Sequence, residues 1–197
     1  MLKNSPLNNK YFILRHGESK ANVAEIIISD LENGIKEEFT LTQKGEQQVK
    51  DSVEKIKSEE LLNESTIIYS SPFSRCKKTA EIAKEVLGVK HEIIVDKRLG
   101  ERWFGNFNNT HIKNYQRIWD IDREHKQPIE NEEPVNLVEK RTMSLLADLE
   151  KKYSSKNFLL VSHGDVLQIL EVCFSGRLAH EHRDVVPLEK AEIRELK

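Results

Sequence analysis

Cysteine is scarce in this sequence, which has 197 residues and two thiols, Cys76 and Cys173. Two unpatterned thiols neither build a disulfide framework nor supply a zinc site, so both are predicted to pack as reduced side chains. Long apolar runs are also missing. No run approaches the roughly 20 residues that a membrane helix needs, and the N-terminal run YFIL stops at Arg15, which is too short for a signal peptide. We therefore expect a soluble, cytoplasmic protein.

An excess of one charge sign is absent as well. Lys and Arg number 31 against 33 Asp and Glu, for a net charge of -2, and the two signs are well mixed. This composition lacks the polybasic face that binds nucleic acid or an anionic membrane, so neither is an expected partner. The length suits one domain with its own core, and we expect a single domain over residues 1–197.

The most informative stretch covers residues 11–22 and reads YFILRHGESKAN. Four apolar residues run directly into Arg15, His16 and Gly17, which predicts a short buried strand ending at a cation, an imidazole and a turn. Ligands of α/β proteins bind at the carboxyl ends of the strands, where this arrangement places Arg15 and His16. Taken alone, the pattern fits a strand-end histidine and a surface arginine equally well.

Strand patterns and helix patterns alternate along the rest of the chain. Apolar or β-branched runs predict strands at 66–70, 91–95 and 158–162, with edge strands at 185–186 and 193–196. Apolar residues at helical spacing predict helices at 43–62, 72–87, 110–125, 137–153 and 166–174, and polar stretches predict loops at 29–39 and 126–134. The alternation predicts a three-layer α/β/α sandwich around a mostly parallel sheet.

Residue types at the helix ends support these boundaries. Thr42 is predicted to cap the helix that follows it. Ser71 is predicted to cap the next helix, with Pro72 in the first helical position, and Gly88 stands where a C-terminal glycine belongs.

Three predicted strands end in chemistry-bearing residues. Arg15 and His16 follow the first, Arg75 lies in the helix turn after the second, and His163 follows the strand at 158–162. If these strands are neighbours in a parallel sheet, two arginines and two histidines meet at one edge, in front of helix N-termini. Arginine forks and helix N-termini favour phosphate. The sequence thus predicts a phosphate-binding site.

Four ordered segments carry a family resemblance: RHGESKAN, SSPFSRCKKTAEIA, LGERWFGNF and VSHGDVLQIL. Together they resemble the histidine phosphatase superfamily, in the branch that contains cofactor-dependent phosphoglycerate mutases and many small phosphatases. The resemblance runs from about residue 11 to residue 174, and four ordered motifs are far more specific than one tripeptide. It implies a phosphoglycerate mutase-like fold.

The resemblance also implies residue roles. His16 is expected to attack phosphorus and form a phosphohistidine. Arg15 and Arg75 are expected to bind the phosphoryl oxygens, with a hydrogen bond donated by His163. Asn22 is expected to add a neutral hydrogen bond, although an asparagine at this position also suits a local cap. The adjacent arginine charges favour the neutral form of His16 that nucleophilic attack requires.

Glu101 matches the position that protonates the leaving oxygen and then acts as base toward water. Burial near Trp103 and Phe104 is expected to raise its pKa, as a proton donor requires. Asp165 competes for the same role because it follows His163 by two residues, but Glu101 is favoured. Trp103 and Phe104 are expected to contact the substrate, with a purely structural core position as the alternative.

No cofactor and no metal ion are expected. Phosphoryl transfer requires mainly positioning and charge neutralisation, which two guanidinium groups and an imidazole provide without a metal. A zinc site built from His16, His163 and an acidic residue is the alternative. It is disfavoured because the two arginines repel a cation.

The expected reaction is hydrolysis of a phosphomonoester on a small phosphorylated metabolite. A phosphoglycerate mutase is the main alternative. The stretch 102–134, however, has only scattered Lys113, Arg117, Arg123 and Lys126, and it lacks the adjacent arginine pair typical of the mutases that the chain resembles. A noncatalytic domain that binds a phosphorylated ligand is the alternative of another class.

Substrate specificity is expected to reside in two segments. One is an insertion at about 106–134, and the other is the tail segment 177–186, where His180, His182 and Arg183 either reach the site or lie in solvent. The sequence leaves the substrate and the oligomeric state open, a homodimer included.

Overall fold

A five-stranded sheet runs through the centre of the protein, which a computed structural model describes over residues 7–124, 126 and 128–197. The strands are β1 (Lys10–Arg15), β2 (Ile67–Ser70), β3 (Ile94–Val95), β4 (Asn157–Ser162) and β5 (Ile193–Glu195). Their order across the sheet is β3-β2-β4-β1-β5. The first four run parallel, and β5 pairs antiparallel with β1.

Seven α-helices are present in the described residues: α1 (Lys20–Val23), α2 (Leu31–Gly34), α3 (Gln43–Ser58), α4 (Ser74–Leu87), α5 (Tyr115–Arg123), α6 (Val135–Lys152) and α7 (Gly164–Phe174). Short 3-10 turns complete the connections, and one of them spans Ala179–Arg183. None of the helices in the described part of the chain is long and apolar enough to cross a membrane.

The two faces of the sheet are covered by different helices. Phe12 and Leu14 of β1 point into a core shared with α3 and α4, whereas Tyr11 and Ile13 point into a core shared with α6 and α7. This alternation follows from the two-residue period of a strand. Strand β4 is buried throughout its apolar run, as a central parallel strand should be. The predicted three-layer α/β/α sandwich is therefore confirmed.

Several predicted boundaries are confirmed. The Thr42 side chain accepts a hydrogen bond from the Gly45 N–H at 3.0 Å and caps α3. Gly88 ends α4 in the left-handed conformation, with a φ of 79°. Helix α7 is buried on nearly all sides.

The predicted start of α4 is wrong by two residues. The helix begins at Ser74 with Phe73 as the capping residue, and Pro72 is not helical. The Ser71 hydroxyl makes a 2.9 Å hydrogen bond with His163 Nε2 and also accepts one from the Phe73 N–H at 3.3 Å. Ser71 therefore belongs to the strand-end cluster rather than to the helix cap.

Four other expectations need correction. The strand expected at 91–95 is reduced to Ile94–Val95, because both residues lie at an exposed sheet edge. Residues 185–186 form no strand, since β5 occupies the free edge of β1. The expected loop at 29–39 contains α2, whose first turn is capped by the Asp30 carboxylate. The helix expected at 110–125 covers only Tyr115–Arg123, and its expected end at 125 lies outside the described residues.

Close backbone packing fixes the loop after β1. A Cβ atom on Gly17 would lie 2.3 Å from the Gly45 carbonyl oxygen, and one on Gly45 would lie 2.1 Å from the Glu18 carbonyl oxygen. Only glycine allows this approach. The N-terminus of α3 is thereby pressed against the segment that follows His16.

Candidate active site

The strand ends that carry the predicted site residues are neighbours in the sheet. Arg15 at the end of β1 pairs with Ser162 of β4, and Ser70 at the end of β2 pairs with Val161 of β4. A cavity of about 330 Å³ opens beside these ends. Its lining includes most of the predicted site residues: Arg15, His16, Asn22, Arg75, Glu101 and Phe104.

His16 is buried, and both of its ring nitrogens are engaged. Nδ1 lies 2.7 Å from the Gly17 carbonyl oxygen, so Nδ1 carries the hydrogen and donates it. Nε2 accepts a hydrogen bond from Arg75 Nε at 3.1 Å and must therefore be unprotonated. Burial holds the pKa of His16 well below its ordinary value, and the charges of Arg75 and Arg15 lower it further. Nε2 is thus unprotonated at neutral pH, and its lone pair accepts the hydrogen bond from Arg75.

Each of the two arginines keeps one buried N–H group without a hydrogen-bond partner. Arg15 donates from Nη1 to the Leu188 carbonyl oxygen at 2.6 Å, but Arg15 Nε has no partner among the described residues. Arg75 donates from Nη2 to the Ile28 carbonyl oxygen at 3.1 Å, whereas Arg75 Nη1 has none there. Buried donors without partners are costly and rare. Two such donors in residues that line the cavity favour an anionic ligand there.

Glu101 lies against Arg75. Its Oε2 accepts from Arg75 Nη2 at 3.3 Å, and its Oε1 accepts from the Arg102 backbone N–H at 3.0 Å. Burial raises the pKa of Glu101 to about 7 against the opposing charge of Arg75, and the charge of Asp165 adds to the rise. Glu101 is therefore able to give and take a proton near neutral pH.

Asp165, the competing acid, is held as a carboxylate. Its Oδ1 accepts from Trp119 Nε1 at 2.9 Å, and its Oδ2 accepts from Arg102 Nη1 at 3.1 Å. Burial alone raises its pKa, but the neighbouring His182 and Arg102 outweigh burial and hold the pKa below its ordinary value. This environment favours Glu101 over Asp165 as the proton donor.

His163 lies behind the cavity and is not one of its lining residues. Its Nδ1 accepts from Arg75 Nη2 at 3.0 Å, so the ring hydrogen is on Nε2, which donates to Ser71 Oγ. Burial, followed by the charge of Arg75, lowers the pKa of His163 and keeps the ring neutral. His163 therefore contacts two residues that line the cavity, Arg75 and Glu101, and its Nδ1 lies 3.3 Å from Glu101 Oε2.

Asn22 fulfils both of its expectations, because it forms a local cap and also lines the cavity. Its Oδ1 accepts from the Ser19 N–H at 3.0 Å, and its own N–H donates to Ser19 Oγ at 3.2 Å, which closes a reciprocal cap. Asn22 also lines the cavity. The cap engages the amide oxygen, so the Nδ2 group is the part of the side chain left to donate to a ligand.

Trp103 and Phe104, which were both expected to contact the substrate, lie in different environments. Phe104 is fully buried and lines the cavity, but Trp103 is 38% exposed and does not line it. The structure thus does not place Trp103 at the site. Burial alternates along this extended stretch, with Arg102 and Phe104 inside, and this alternation directs Trp103 outward.

Sequence reasoning missed part of the cavity wall. Tyr115 and Trp119 of α5 stack with 5.4 Å between ring centroids, and both line the cavity. Their helical spacing was the available signal, but such spacing indicates a core face just as well. Arg183, which the sequence left open, lines the cavity too, whereas His182 is buried behind Asp165 and His180 is not a lining residue.

A buried charge cluster supports this wall. The Arg102 guanidinium is fully buried and forms two hydrogen bonds with the Asp122 carboxylate, at 2.6 and 2.8 Å, besides its contact with Asp165. This cluster ties α5 to the start of α7. Within the described ranges, no group of three or more His, Cys, Asp or Glu residues is arranged to hold a metal ion.

The α/β/α sandwich carries a cluster of arginines and histidines at the carboxyl ends of its strands, where α/β proteins bind their ligands. Residues 11–197 match the histidine phosphatase superfamily (branch 1), and the chain belongs to that family. Membership supports phosphatase or mutase activity.

Individual relatives point to the same two activities. The chain is 28% identical over 194 residues to "Putative phosphoserine phosphatase 2" of Hydrogenobacter thermophilus, covering 95% of this chain and 88% of that protein. It is 28% identical over 178 residues to "Probable phosphoglycerate mutase GpmB" of an Enterobacter species, covering 87% of this chain and 77% of that protein.

Solved structures share the fold. The phosphoserine phosphatase of Entamoeba histolytica in complex with 3-phosphoglyceric acid matches with a TM-score of 0.76 and 22% identity, covering 95% of this chain and 89% of that one. A mycobacterial glucosyl-3-phosphoglycerate phosphatase matches with a TM-score of 0.77 and 20% identity, covering 94% and 91%. At these identities the likeness concerns the fold.

Proposed function

We propose that this protein hydrolyses a phosphomonoester of a small metabolite by transferring the phosphoryl group first to His16 and then to water. One observation carries the proposal. The unprotonated His16 Nε2 lies 3.1 Å from Arg75 Nε, within a cluster whose arginines keep two buried N–H donors for an anion. A nucleophile placed among anion donors is the arrangement that phosphoryl transfer requires.

In the first step, His16 Nε2 attacks phosphorus and forms a P–N bond. The bond between phosphorus and the ester oxygen breaks, and Glu101 gives its proton to the departing oxygen. Since the pKa of Glu101 is about 7, a large fraction of the free enzyme carries this proton at neutral pH. Arg15 and Arg75 hold the phosphoryl oxygens throughout, and Asn22 Nδ2 adds a neutral donor.

In the second step, water attacks the phosphohistidine. Glu101, now ionised, takes a proton from the water as the new P–O bond forms and the P–N bond breaks. His16 regains its lone pair and inorganic phosphate leaves. The same carboxyl group thus serves as acid and then as base, which requires a pKa near the working pH.

Mutase activity requires a second hydroxyl group of the substrate, rather than water, to collect the phosphoryl group. None of the four scattered basic residues between 102 and 134 lines the cavity. A volume of about 330 Å³ is also at the small end for a ligand site. These observations favour hydrolysis.

The deciding experiment is turnover of p-nitrophenyl phosphate in the presence of a chelator. We expect activity that the chelator leaves unchanged, that His16→Ala abolishes and that the exposed control His91→Ala retains. Activity lost to the chelator, or retained by His16→Ala, contradicts the proposal.

Two further outcomes identify the alternatives. Phosphate binding by the wild-type protein without any turnover indicates the noncatalytic binding domain. Interconversion of 3-phosphoglycerate that depends on bisphosphoglycerate, with little release of inorganic phosphate, identifies a mutase.

A further inference from the structure

Tyr115 lines the cavity, but the proposed steps do not use it. It is the first residue of α5, and it lines the same cavity as His16, Arg75 and Glu101. A tyrosine hydroxyl both donates and accepts hydrogen bonds. The cavity wall thus contains a neutral polar group whose chemistry is still unassigned.

The ring of Tyr115 is held from two sides. It meets Phe104 edge to face, with 4.8 Å between the ring centroids and 75° between the planes, and it stacks on Trp119 at 5.4 Å and 6°. Trp119 is fixed in turn, because its Nε1 donates to Asp165 Oδ1 at 2.9 Å. Packing of this kind leaves the ring little freedom, so the hydroxyl is oriented before any ligand binds.

The Tyr115 hydroxyl has no hydrogen-bond partner in the described part of the chain. The contacts that the side chain makes there are ring contacts, and none of them satisfies the O–H group. A tyrosine hydroxyl with an apolar ring packed behind it normally finds a polar partner. The cavity that Tyr115 lines is the space in which a ligand supplies one.

The charges that act on this hydroxyl are those of the proposed phosphate site. Burial raises the pKa of Tyr115, and among the charged groups Glu101 has the largest effect and raises the pKa further, whereas Arg75 opposes the rise. Because electrostatic effects weaken with distance, the hydroxyl is on the Glu101 side of the cavity. It also keeps its proton at neutral pH and is therefore able to donate a hydrogen bond.

The proposed reaction leaves one oxygen atom with a single partner. Arg15, Arg75 and Asn22 supply donors for the oxygens that stay on phosphorus. The oxygen in line with His16 has only Glu101. This oxygen belongs to the departing ester group in the first step and to the attacking water in the second. It needs a donor while negative charge develops on it, and it needs an acceptor while it is part of water.

We propose that Tyr115 is a further catalytic residue, whose hydroxyl binds the oxygen in line with His16 in both steps. This inference rests on the proposed function. In the first step the O–H group donates a hydrogen bond to the ester oxygen, while Glu101 supplies the proton that this oxygen takes away. In the second step the Tyr115 oxygen accepts a hydrogen bond from one hydrogen of the water, while Glu101 removes the other. Tyr115 keeps its own proton throughout.

The first test uses Tyr115→Phe, which removes the hydroxyl and keeps the ring in its stack. For phenyl phosphate, whose phenolate is a poor leaving group, kcat/KM is expected to fall by about 10- to 100-fold, because a hydrogen bond to the developing negative charge is lost. For p-nitrophenyl phosphate, whose leaving oxygen needs no such help, kcat/KM should stay within about 3-fold of wild type. Equal losses for the two compounds, or no loss for phenyl phosphate, overturn the inference and leave the proposed function standing.

Tyr153→Phe is the matched control, since Tyr153 directly follows α6 and does not line the cavity. It removes a tyrosine hydroxyl elsewhere in the protein and should keep the wild-type kcat/KM for both compounds. A loss in Tyr153→Phe with the same dependence on the leaving group would show that this dependence does not report a contact in the cavity, and it would also overturn the inference.

The second test follows the water step. After a pulse of p-nitrophenyl phosphate, the decay of the phosphoryl group on His16 is timed by rapid quenching. Tyr115→Phe is expected to slow this decay by about 10-fold, because the water loses one of its two acceptors. Tyr153→Phe should leave the decay unchanged. An unchanged decay in Tyr115→Phe contradicts the inference, which covers both steps.

Two outcomes in the wild-type protein separate the inference from its premise. Failure to turn over p-nitrophenyl phosphate overturns the proposed function itself. Turnover of p-nitrophenyl phosphate without turnover of the smaller phenyl phosphate overturns the inference alone, because the leaving oxygen then receives no assistance from the protein.

Discussion

Arg75 Nε donates a hydrogen bond to His16 Nε2 over 3.1 Å, so the residue expected to bind the phosphoryl group also contacts the lone pair expected to attack it. This contact fixes the ring tautomer, because only an unprotonated Nε2 accepts a hydrogen bond. The same guanidinium donates to His163 Nδ1 and approaches Glu101 Oε2. Arg75 is thus the common neighbour of the proposed nucleophile and the proposed acid.

The first prediction concerns the geometry of Arg75. Arg75→Lys keeps a positive charge but loses the planar fork and the Nε–H group that orients His16. We expect kcat for p-nitrophenyl phosphate to fall by about 100-fold. Arg123→Lys, the same change at an exposed position outside the cavity, should leave kcat unchanged. A full-rate Arg75→Lys enzyme would show that positive charge alone is sufficient.

The second prediction concerns pH. In the free enzyme the pKa of Glu101 is about 7 and that of His16 is well below 6.5. For an alkyl phosphate, kcat/KM should fall as pH rises through about 7, because Glu101 loses the proton that the leaving oxygen needs. No fall due to His16 is expected until the pH is well below 6.5. Glu101→Gln should lower the plateau by about 10²- to 10⁴-fold and remove the fall on the basic side.

A matched control for this profile is Glu92→Gln, which alters a carboxylate whose side chain is 95% exposed. It should reproduce the wild-type curve. A basic limb that persists unchanged in Glu101→Gln would assign the titration near pH 7 to another group, and Glu101 would lose its role as the acid.

The third prediction links the same carboxyl group to stability. The pKa of Glu101 is raised from 4.5 to about 7 in the folded protein, so between these pH values the unfolded chain releases a proton that the folded protein retains. The free energy of unfolding contributed by this group is therefore lost as pH rises across that window. Relative to wild type, Glu101→Gln should gain about 3 kcal/mol between pH 4.5 and pH 8, measured by urea unfolding. A constant difference would contradict the raised pKa.

The fourth prediction concerns the buried charge cluster. Arg102→Met leaves the carboxylates of Asp122 and Asp165 buried without their cation. We expect the free energy of unfolding to fall by about 3–5 kcal/mol. Arg123→Met, whose ion pairs are half exposed, should cost less than about 1 kcal/mol. Similar losses in the two variants would mean that the cluster contributes no more than a surface pair.

Most of the candidate site was predictable because its signals are local. Two strand patterns end directly at candidate residues, Arg15 with His16 and His163, and a parallel sheet brings such ends to one edge. Arg75 follows a third strand end, whereas Glu101 was indicated only by the family motif LGERWFGNF. The detailed contacts were not predictable. Ser71 reads as a helix cap, but its hydroxyl contacts His163, which is 92 residues away along the chain.

The cavity wall that contains Trp119 and Arg183 shows more clearly what the sequence could not predict. Trp119 and Arg183 stack across 64 residues, and neither position lies in a motif. The spacing of Tyr115 and Trp119 indicates an amphipathic helix, but periodicity does not distinguish a core face from a cavity wall. Tertiary packing of the tail segment against α5 decides that question.

The most direct test of the account is a search for the phosphohistidine in Glu101→Gln. p-Nitrophenolate needs no proton to depart, so this variant should still be phosphorylated by p-nitrophenyl phosphate, but it lacks the base that activates water. We predict a burst of one p-nitrophenolate per active site, and an acid-labile phosphoryl group on the peptide that contains His16 by mass spectrometry. A stable protein that turns over with no burst and no phosphoryl group on His16 would contradict the central claim.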